Sequence, residues 1–285
     1  MDQADRLRAM ASCSLGTKTT RVISVTSGKG GVGKSNIAVN LALNFSRRGL
    51  KTLLIDADLG LSNTNLLIGC NVNQTIDDVM FSNTSIEDVF VHTSAGFDLL
   101  PGSSGFRKML SLDHFSQRHL FDEMFRVMQR YDVVLYDTAP GIGDHVLNFN
   151  SAAHDIVVVA HPEPTALADA YALIKVLSKE RREKRFKLLI NRVRQENEGI
   201  EAFKRITDVA DEFLNISIDY LGAIPEDPTV LRSVRLQRPV LLEAPRAPFS
   251  VALNRIGDKL LAATLTEPVK KLWDTKQAIN AGQGA

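Results

Sequence analysis

Residues 24–39 read SVTSGKGGVGKSNIAV, and the order of residue types in this stretch decides the fold. The run leading into it, RVISVTS from Arg21 to Ser27, is β-branched and apolar, as a strand covered on both faces must be. The run leading out places Ile37, Leu41 and Phe45 four residues apart with Gly49 just beyond, which predicts a helix from Lys34 to Arg48. Between them, Gly28, Gly33, Lys34 and Ser35 satisfy G-x-x-x-x-G-K-[ST]. The glycines let the backbone curl so that its N–H groups converge on phosphate oxygens, and the positive end of the next helix adds to the attraction. Lys34 is expected at the β- and γ-phosphates and the Ser35 hydroxyl at Mg²⁺. The strand before and the helix after separate a phosphate loop from an incidental glycine-rich turn.

Outward from this loop, short apolar runs alternate with helical patterns. Strands are expected at KTLLIDAD (from Lys51), GFDLLP (from Gly96), DVVLYDT (from Asp132), DIVVVA (from Asp155), FKLLIN (from Phe186) and IDYLGAIP (from Ile218). Helices are expected near 113–130, 165–180, 199–214, 227–237 and 248–264. The alternation gives an α/β fold, a mostly parallel twisted sheet with helices on both faces. One unit over residues 20–264, flanked by tails 1–19 and 265–285, is the simplest division of the 285 residues. The net charge of +1 supplies no global field toward DNA or an anionic membrane, so such a partner would need a local patch. The basic run KERREKRFK (Lys179–Lys187) has two acids mixed in and reads as a solvated helix end, which makes DNA an unlikely partner. Cys13 and Cys70 have neither disulfide nor zinc spacing and point to a reducing cytoplasm. The N-terminal residues lack the apolar core of a secretory signal, and no apolar run is long enough to span a bilayer. The six histidines show no metal spacing, and His161, at a strand end, reads as structural or peripheral.

The segment KGGVGKS (Lys29–Ser35) resembles the deviant Walker A motif of the MinD/ParA ATPases, whose signature is the early lysine. The resemblance implies a Mg²⁺-dependent P-loop ATPase that forms an ATP-dependent homodimer. Gly28, Lys29, Gly30, Gly31, Val32, Gly33, Lys34 and Ser35 would hold ATP, and Lys29 would reach the nucleotide of the other subunit. In LLIDADLGLSN, Asp58 would orient or deprotonate the attacking water, and Asp56 would support Mg²⁺ from behind its ligands. Carboxylates at strand C-termini face the ligand crevice of open α/β sheets. VVLYDTAPGIGD resembles the Walker B strand and switch II, with Asp137 holding Mg²⁺ through water and Gly141 and Gly143 freeing the loop. Asn191, whose amide both donates and accepts, suits an adenine edge. The Pro-Glu-Asp segment of the family adds Pro225 and Asp227 beside the base.

Within that family, DQADRLR (Asp2–Arg8) matches the D-Q-A-x-x-L-R segment of the FlhG family, also called FleN or YlxH, whose members help set flagellar number and position. EPTALADAYALIK (Glu163–Lys175) and DTAPGIGD are similar to the same branch. The resemblance implies that Asp2, Gln3, Ala4, Leu7 and Arg8 dock on the GTPase FlhF, with Gln3 stimulating GTP hydrolysis, and that flagellar regulators or C-ring proteins are further partners. The C-terminal TEPVKKLWDTKQAI sets Val269, Leu272, Trp273 and Ile279 loosely on one side with lysines around them, a candidate amphipathic helix for the inner membrane surface. The alternatives within the fold are MinD-type division-site placement and ParA-type DNA partition, and DQADRLR argues against both. A nitrogenase iron-protein relative would need cluster cysteines near switch II, where this chain has none.

Overall fold

The computed structural model describes residues 19–58, 64–82, 84–102, 114–265 and 268–270. Its strands are β1 (Arg21–Thr26), β2 (Thr52–Ala57), β3 (Val91–His92), β4 (Asp98–Leu100), β5 (Val133–Thr138), β6 (Asp155–Ala160), β7 (Arg185–Val193) and β8 (Ser217–Pro225). They form one eight-stranded sheet in the order β3-β4-β2-β5-β1-β6-β7-β8. Every pairing is parallel except β3 with β4. The helices are α1 (Lys34–Arg47), α2 (Thr64–Ile68), α3 (Ile76–Phe81), α4 (His114–Met128), α5 (Asp144–Ser151), α6 (Pro164–Glu180), α7 (Glu196–Phe213), α8 (Pro228–Arg235), α9 (Val240–Glu243) and α10 (Pro248–Ala262).

The unbroken apolar strands are explained by where consecutive side chains go. In β1, Ile23 and Val25 join a core with Leu41 and Phe45 of α1 and Leu253, Ile256 and Leu260 of α10. Val22, on the opposite face, packs in a core with Met124 and Val127 of α4. Further along the sheet, Ile156 and Val158 of β6 meet Leu173, Ile174 and Leu177 of α6 and Ile206 of α7. Side chains alternate across a strand, so a sheet helical on both faces needs apolar residues at every position. Each fully buried Leu, Ile or Val contributes about 1.5–3 kcal/mol relative to exposure.

The long elements fall within a few residues of the expected ones. The structure adds the short α2, α3, β3, α5 and α9 to the sequence reading. α5 escaped a periodicity argument because its inward side includes Asn148 and Asn150, both buried and polar. Among the described residues, no helix is long and apolar enough to cross a membrane.

At the sheet's other end, where the strands begin, Arg21 is buried and pairs with Asp155 of β6 at 3.1 Å. The same guanidinium donates to the Leu260 and Ala263 carbonyls at the end of α10. His154 accepts from the Val22 N–H through Nδ1 at 2.9 Å, and its Nε2 lies 3.2 Å from the Pro268 carbonyl oxygen. Chain beyond α10 is thereby held against the start of β1 and β6. Arg21→Met is expected to cost about 3 kcal/mol in urea unfolding, the lower end for breaking a buried pair because Lys187 still lies 3.6 Å from Asp155. A loss under about 1 kcal/mol would show the clamp to be dispensable.

Candidate active site

Seven parallel strands deliver their C-terminal residues to one edge, and the residues expected from the sequence to hold nucleotide and metal lie there. Asp56 of β2 is in register with Asp137 of β5, and Asp137 is level with Val25 of β1. Asn191 of β7 is level with Ile224, one residue before Pro225 of β8. β1, whose end carries the glycine loop, sits between β5 and β6, so the loop stands where strand order changes direction, the usual ligand crevice of an open α/β sheet.

The loop's conformation depends on two glycines in particular. Gly28 is pressed so closely onto α6 that a Cβ there would lie 2.0 Å from the Asp169 carbonyl oxygen. Gly33 precedes α1 with φ +89°, and a Cβ on it would lie 2.4 Å from Asn191 Nδ2. No acidic residue occupies the first turn of α1, which leaves its positive end open to an anion. The loop is braced on both sides: the Ser27 hydroxyl donates to the Lys29 carbonyl at 2.9 Å, and the Gly141 N–H donates to the Ser27 carbonyl at 2.9 Å.

Two lysines in this loop have opposite surroundings. Lys34 is buried, and its Nζ lies 2.8 Å from Asp137 Oδ1, whose residue is 1% exposed. The Thr64 hydroxyl, at the start of α2, donates to Asp137 Oδ2 at 3.4 Å. Lys29 is exposed at the rim, donating to the Thr165 hydroxyl in the first turn of α6 at 3.3 Å. Asp58 follows β2 half-buried, and its N–H donates to Asp56 Oδ1 at 3.1 Å. The Ser35 hydroxyl and the Asp56 and Asp137 carboxylates are hard oxygen donors; the two buried carboxylates are in register on neighbouring strands, and Asp137 contacts Lys34. That donor chemistry fits Mg²⁺, which takes one or two carboxylates and completes its shell with water and phosphate.

A buried polar chain runs beneath the loop. The Ser24 hydroxyl donates to Asn150 Oδ1 at 2.8 Å, and Asn150 Nδ2 donates to Thr26 Oγ1 at 3.2 Å and to the Val146 carbonyl at 2.8 Å. Thr138 Oγ1 donates to Thr26 Oγ1 at 2.9 Å. The strand carrying the loop is thus hydrogen-bonded to the Asp137 strand and to α5, the helix behind Gly141 and Gly143.

At the opposite rim, Asn191 Nδ2 donates to the Val32 carbonyl at 2.8 Å, leaving its carbonyl oxygen and second amide hydrogen for other partners. Asp227 caps α8: Oδ1 accepts from the Thr229 N–H and hydroxyl at 2.9 and 2.7 Å, and Oδ2 accepts from the Phe249 N–H at 3.0 Å. Burial pushes this carboxyl up, but the three donors outweigh it and hold it below its ordinary value. Both oxygens therefore already serve the junction of α8 and α10, beside the Pro225 turn. His161, just past β6, is the residue that sequence reasoning passed over. It is buried, and its Nε2 has no hydrogen-bond partner among the described residues. Burial, then the nearby Arg192, holds it below the ordinary histidine value, and so neutral near pH 7. The only signal in the sequence was its place at a strand's C-terminal end. Asp2, Gln3, Ala4, Leu7 and Arg8, and the tail from Lys271 on, lie outside the described residues.

Comparison with known proteins agrees with this geometry. A family model described as an AAA domain matches residues 20–190. The antiactivator FleN of Pseudomonas aeruginosa is 38% identical over 240 residues, which cover 84% of this chain and 86% of that protein. The flagellum site-determining protein YlxH of Helicobacter pylori is 33% identical over 244 residues, covering 85% and 82%. Among solved structures, the septum site-determining protein MinD of Pyrococcus horikoshii, complexed with Mg-ADP, superimposes with a TM-score of 0.69 at 25% identity, over 86% of this chain and 98% of that one.

Proposed function

We propose a working scheme for this site from one premise: the chain belongs to the MinD/ParA family of P-loop ATPases, in the branch that holds the flagellar regulators FleN and YlxH. It is an ATP-hydrolysing protein that regulates flagellar number. In the scheme, the N–H groups from Gly28 to Ser35 receive the ATP phosphates, and Lys34 exchanges Asp137 for the β- and γ-oxygens. Asp137, with Asp56 behind it, then joins the Ser35 hydroxyl in holding Mg²⁺. When bound, Mg²⁺ neutralises charge that develops between the β- and γ-phosphates. Asn191 and Pro225 border the adenine, with Asp227 fixing the turn that follows Pro225. Asp58 holds and deprotonates the attacking water.

The observation that carries the scheme is the contrast between the two lysines. Lys34 is buried against Asp137, while the exposed Lys29 has, among the described residues, a rim contact to Thr165. A cation so placed is available to a second copy, and phosphoryl transfer depends chiefly on positioning and charge neutralisation. ATP would thus assemble a homodimer in which each Lys29 leaves Thr165 for the partner's phosphates, tying hydrolysis to dimerisation. Around the ATPase unit of residues 20–264, the segment 1–19 would bind FlhF. Asp2, Ala4, Leu7 and Arg8 would contact FlhF, and Gln3 would place a water in the GTPase site. The tail 265–285 would attach the ATP-bound dimer to the inner membrane surface, two weak anchors acting together. Flagellar regulators or C-ring proteins are the further class of partner.

Light-scattering chromatography is expected to give a monomer with ADP and, for Asp58→Ala with ATP, a stable dimer that Lys29→Ala abolishes; a monomer for the Asp58 variant would remove the trans role of Lys29. A peptide of residues 1–20 is expected to accelerate GTP hydrolysis by FlhF, and the same peptide with Gln3→Ala to lose that effect; equal stimulation by both would end the assignment to Gln3. With ATP, the full chain is expected to float with anionic liposomes and a chain ending at Leu265 to stay behind. Equal flotation would rule out the tail as the anchor.

A further inference from the structure

The basic run Lys179–Lys187 takes no part in the site above, and the structure divides it. α6 ends at Glu180 and β7 starts at Arg185, so the middle of the run is a turn at the end of the sheet where the strands begin. Arg181 turns back to pair with Asp144 at 3.1 Å, and Lys187 lies 3.6 Å from both Asp155 and Asp219. Arg182, Lys184 and Arg185 instead line one cavity of about 170 Å³, together with Lys270. Glu183 is the one acid in that lining among the described residues. Four cations against one acid make a local excess that the chain's net charge of +1 conceals. A cavity so lined favours an anion, and its volume is several times what one water needs.

Two further observations bear on what fills it. Arg182 has φ +60°. A side chain in that left-handed region strains the backbone, and the residue just past a helix is commonly glycine when it adopts it. Arginine here sets a guanidinium at the cavity where glycine would suit the backbone better. The second observation is the path of the chain after α10. The Pro268 carbonyl lies against His154, Val269 packs on the core that holds Met124 and Val127, and Lys270 lines the cavity. The segment carrying Leu272 and Trp273 follows in sequence directly from that wall.

We propose that this cavity seats the phosphate of an anionic lipid headgroup, with Arg182, Lys184, Arg185 and Lys270 as its cationic wall. The proposal rests on the reading of the tail as a membrane anchor and assigns this face the contact beside it. An interfacial helix lies in the headgroup layer, so the wall from which it departs is brought to the same layer. There the negative surface potential acts within a Debye length, roughly 8 Å. A guanidinium also binds phosphate oxygens in pairs, as an ammonium does not. Nucleic acid offers similar phosphates, but the apolar residues of the tail would bury nothing against it.

The test uses the full chain with ATP and vesicles of phosphatidylglycerol and phosphatidylcholine at about 1:2, with partition read by flotation. Arg182→Gly removes the charge and relaxes the backbone together. It is expected to weaken partition about five-fold, and Arg182→Gly with Lys184→Gln about twenty-fold, while all three proteins bind phosphatidylcholine vesicles equally. The melting temperature of Arg182→Gly should match wild type or rise by about 2 °C, and its ATPase rate without vesicles should not change. Wild-type partition in the double variant, an equal loss on phosphatidylcholine, or a lower melting temperature for Arg182→Gly would overturn the proposal. If the double variant loses binding to duplex DNA and keeps its partition to vesicles, the cavity serves nucleic acid and the proposal fails. A chain ending at Lys270 keeps the wall and lacks the tail, and so separates the two readings. If it floats as the full chain does, the tail reading fails, and the double variant alone decides on the cavity. If it stays behind while the double variant floats like wild type, only the headgroup site is wrong.

Discussion

The site is organised by the buried contact between Lys34 and Asp137. An ammonium and a carboxylate taken out of water cost more to desolvate than they recover unless their geometry is held rigidly. Here Lys34 opens α1 and Asp137 ends β5, and both elements are bonded into the middle of the sheet. The parallel pairing of β1 with β5 brings the end of one strand beside the end of the other. Without that register the contact between Lys34 and Asp137 could not form. In the proposed scheme the contact also stores placed charge: Lys34 would pass to an incoming phosphate and Asp137 to the metal as the pair separates.

A second consequence is that two lysines of one short loop face different surroundings. Gly28 seats the loop's start on the α6 backbone, and Gly33 turns its end into α1. Between those points the chain bows outward, leaving Lys29, Gly30 and Gly31 exposed while Val32 and Lys34 are buried. Buried and exposed lysines respond to different partners, one within the molecule and one outside it. Beneath the loop, the Ser24–Asn150–Thr26–Thr138 chain ties this arrangement to α5, so displacement of the Gly141–Gly143 segment cannot leave the floor of the loop untouched.

Much of this was legible in the sequence. The phosphate loop was readable because a strand, a spaced set of glycines and a helix occur in strict order. The strands were readable because both faces of the sheet are covered, so Val22 and Ile23 had to be apolar alike. Asp56, Asp58 and Asp137 were readable as strand-end carboxylates. What escaped has a common cause: it depends on proximity in space rather than on period. α5 buries Asn148 and Asn150, which blurs any amphipathic pattern. His161 stands near the glycine loop only because β6 lies next to β1. Asp227 was visible as a residue of interest, and its D-P-T context is that of a helix cap, with Pro228 in the first helical turn. That local signal explains the carboxylate's bonds to Thr229, whereas its bond to Phe249 of α10 depends on the fold.

The direct measurement is nucleotide affinity for wild type and Asp137→Asn, by calorimetry, in EDTA and again with excess Mg²⁺. If Lys34 and Asp137 are paired until phosphate and metal part them, the variant releases Lys34 and binds ATP in EDTA at least as tightly as wild type. It then gains little from Mg²⁺, whereas wild type gains strongly. A variant that binds ATP more weakly in EDTA, or that gains as much from Mg²⁺ as wild type does, would contradict the account.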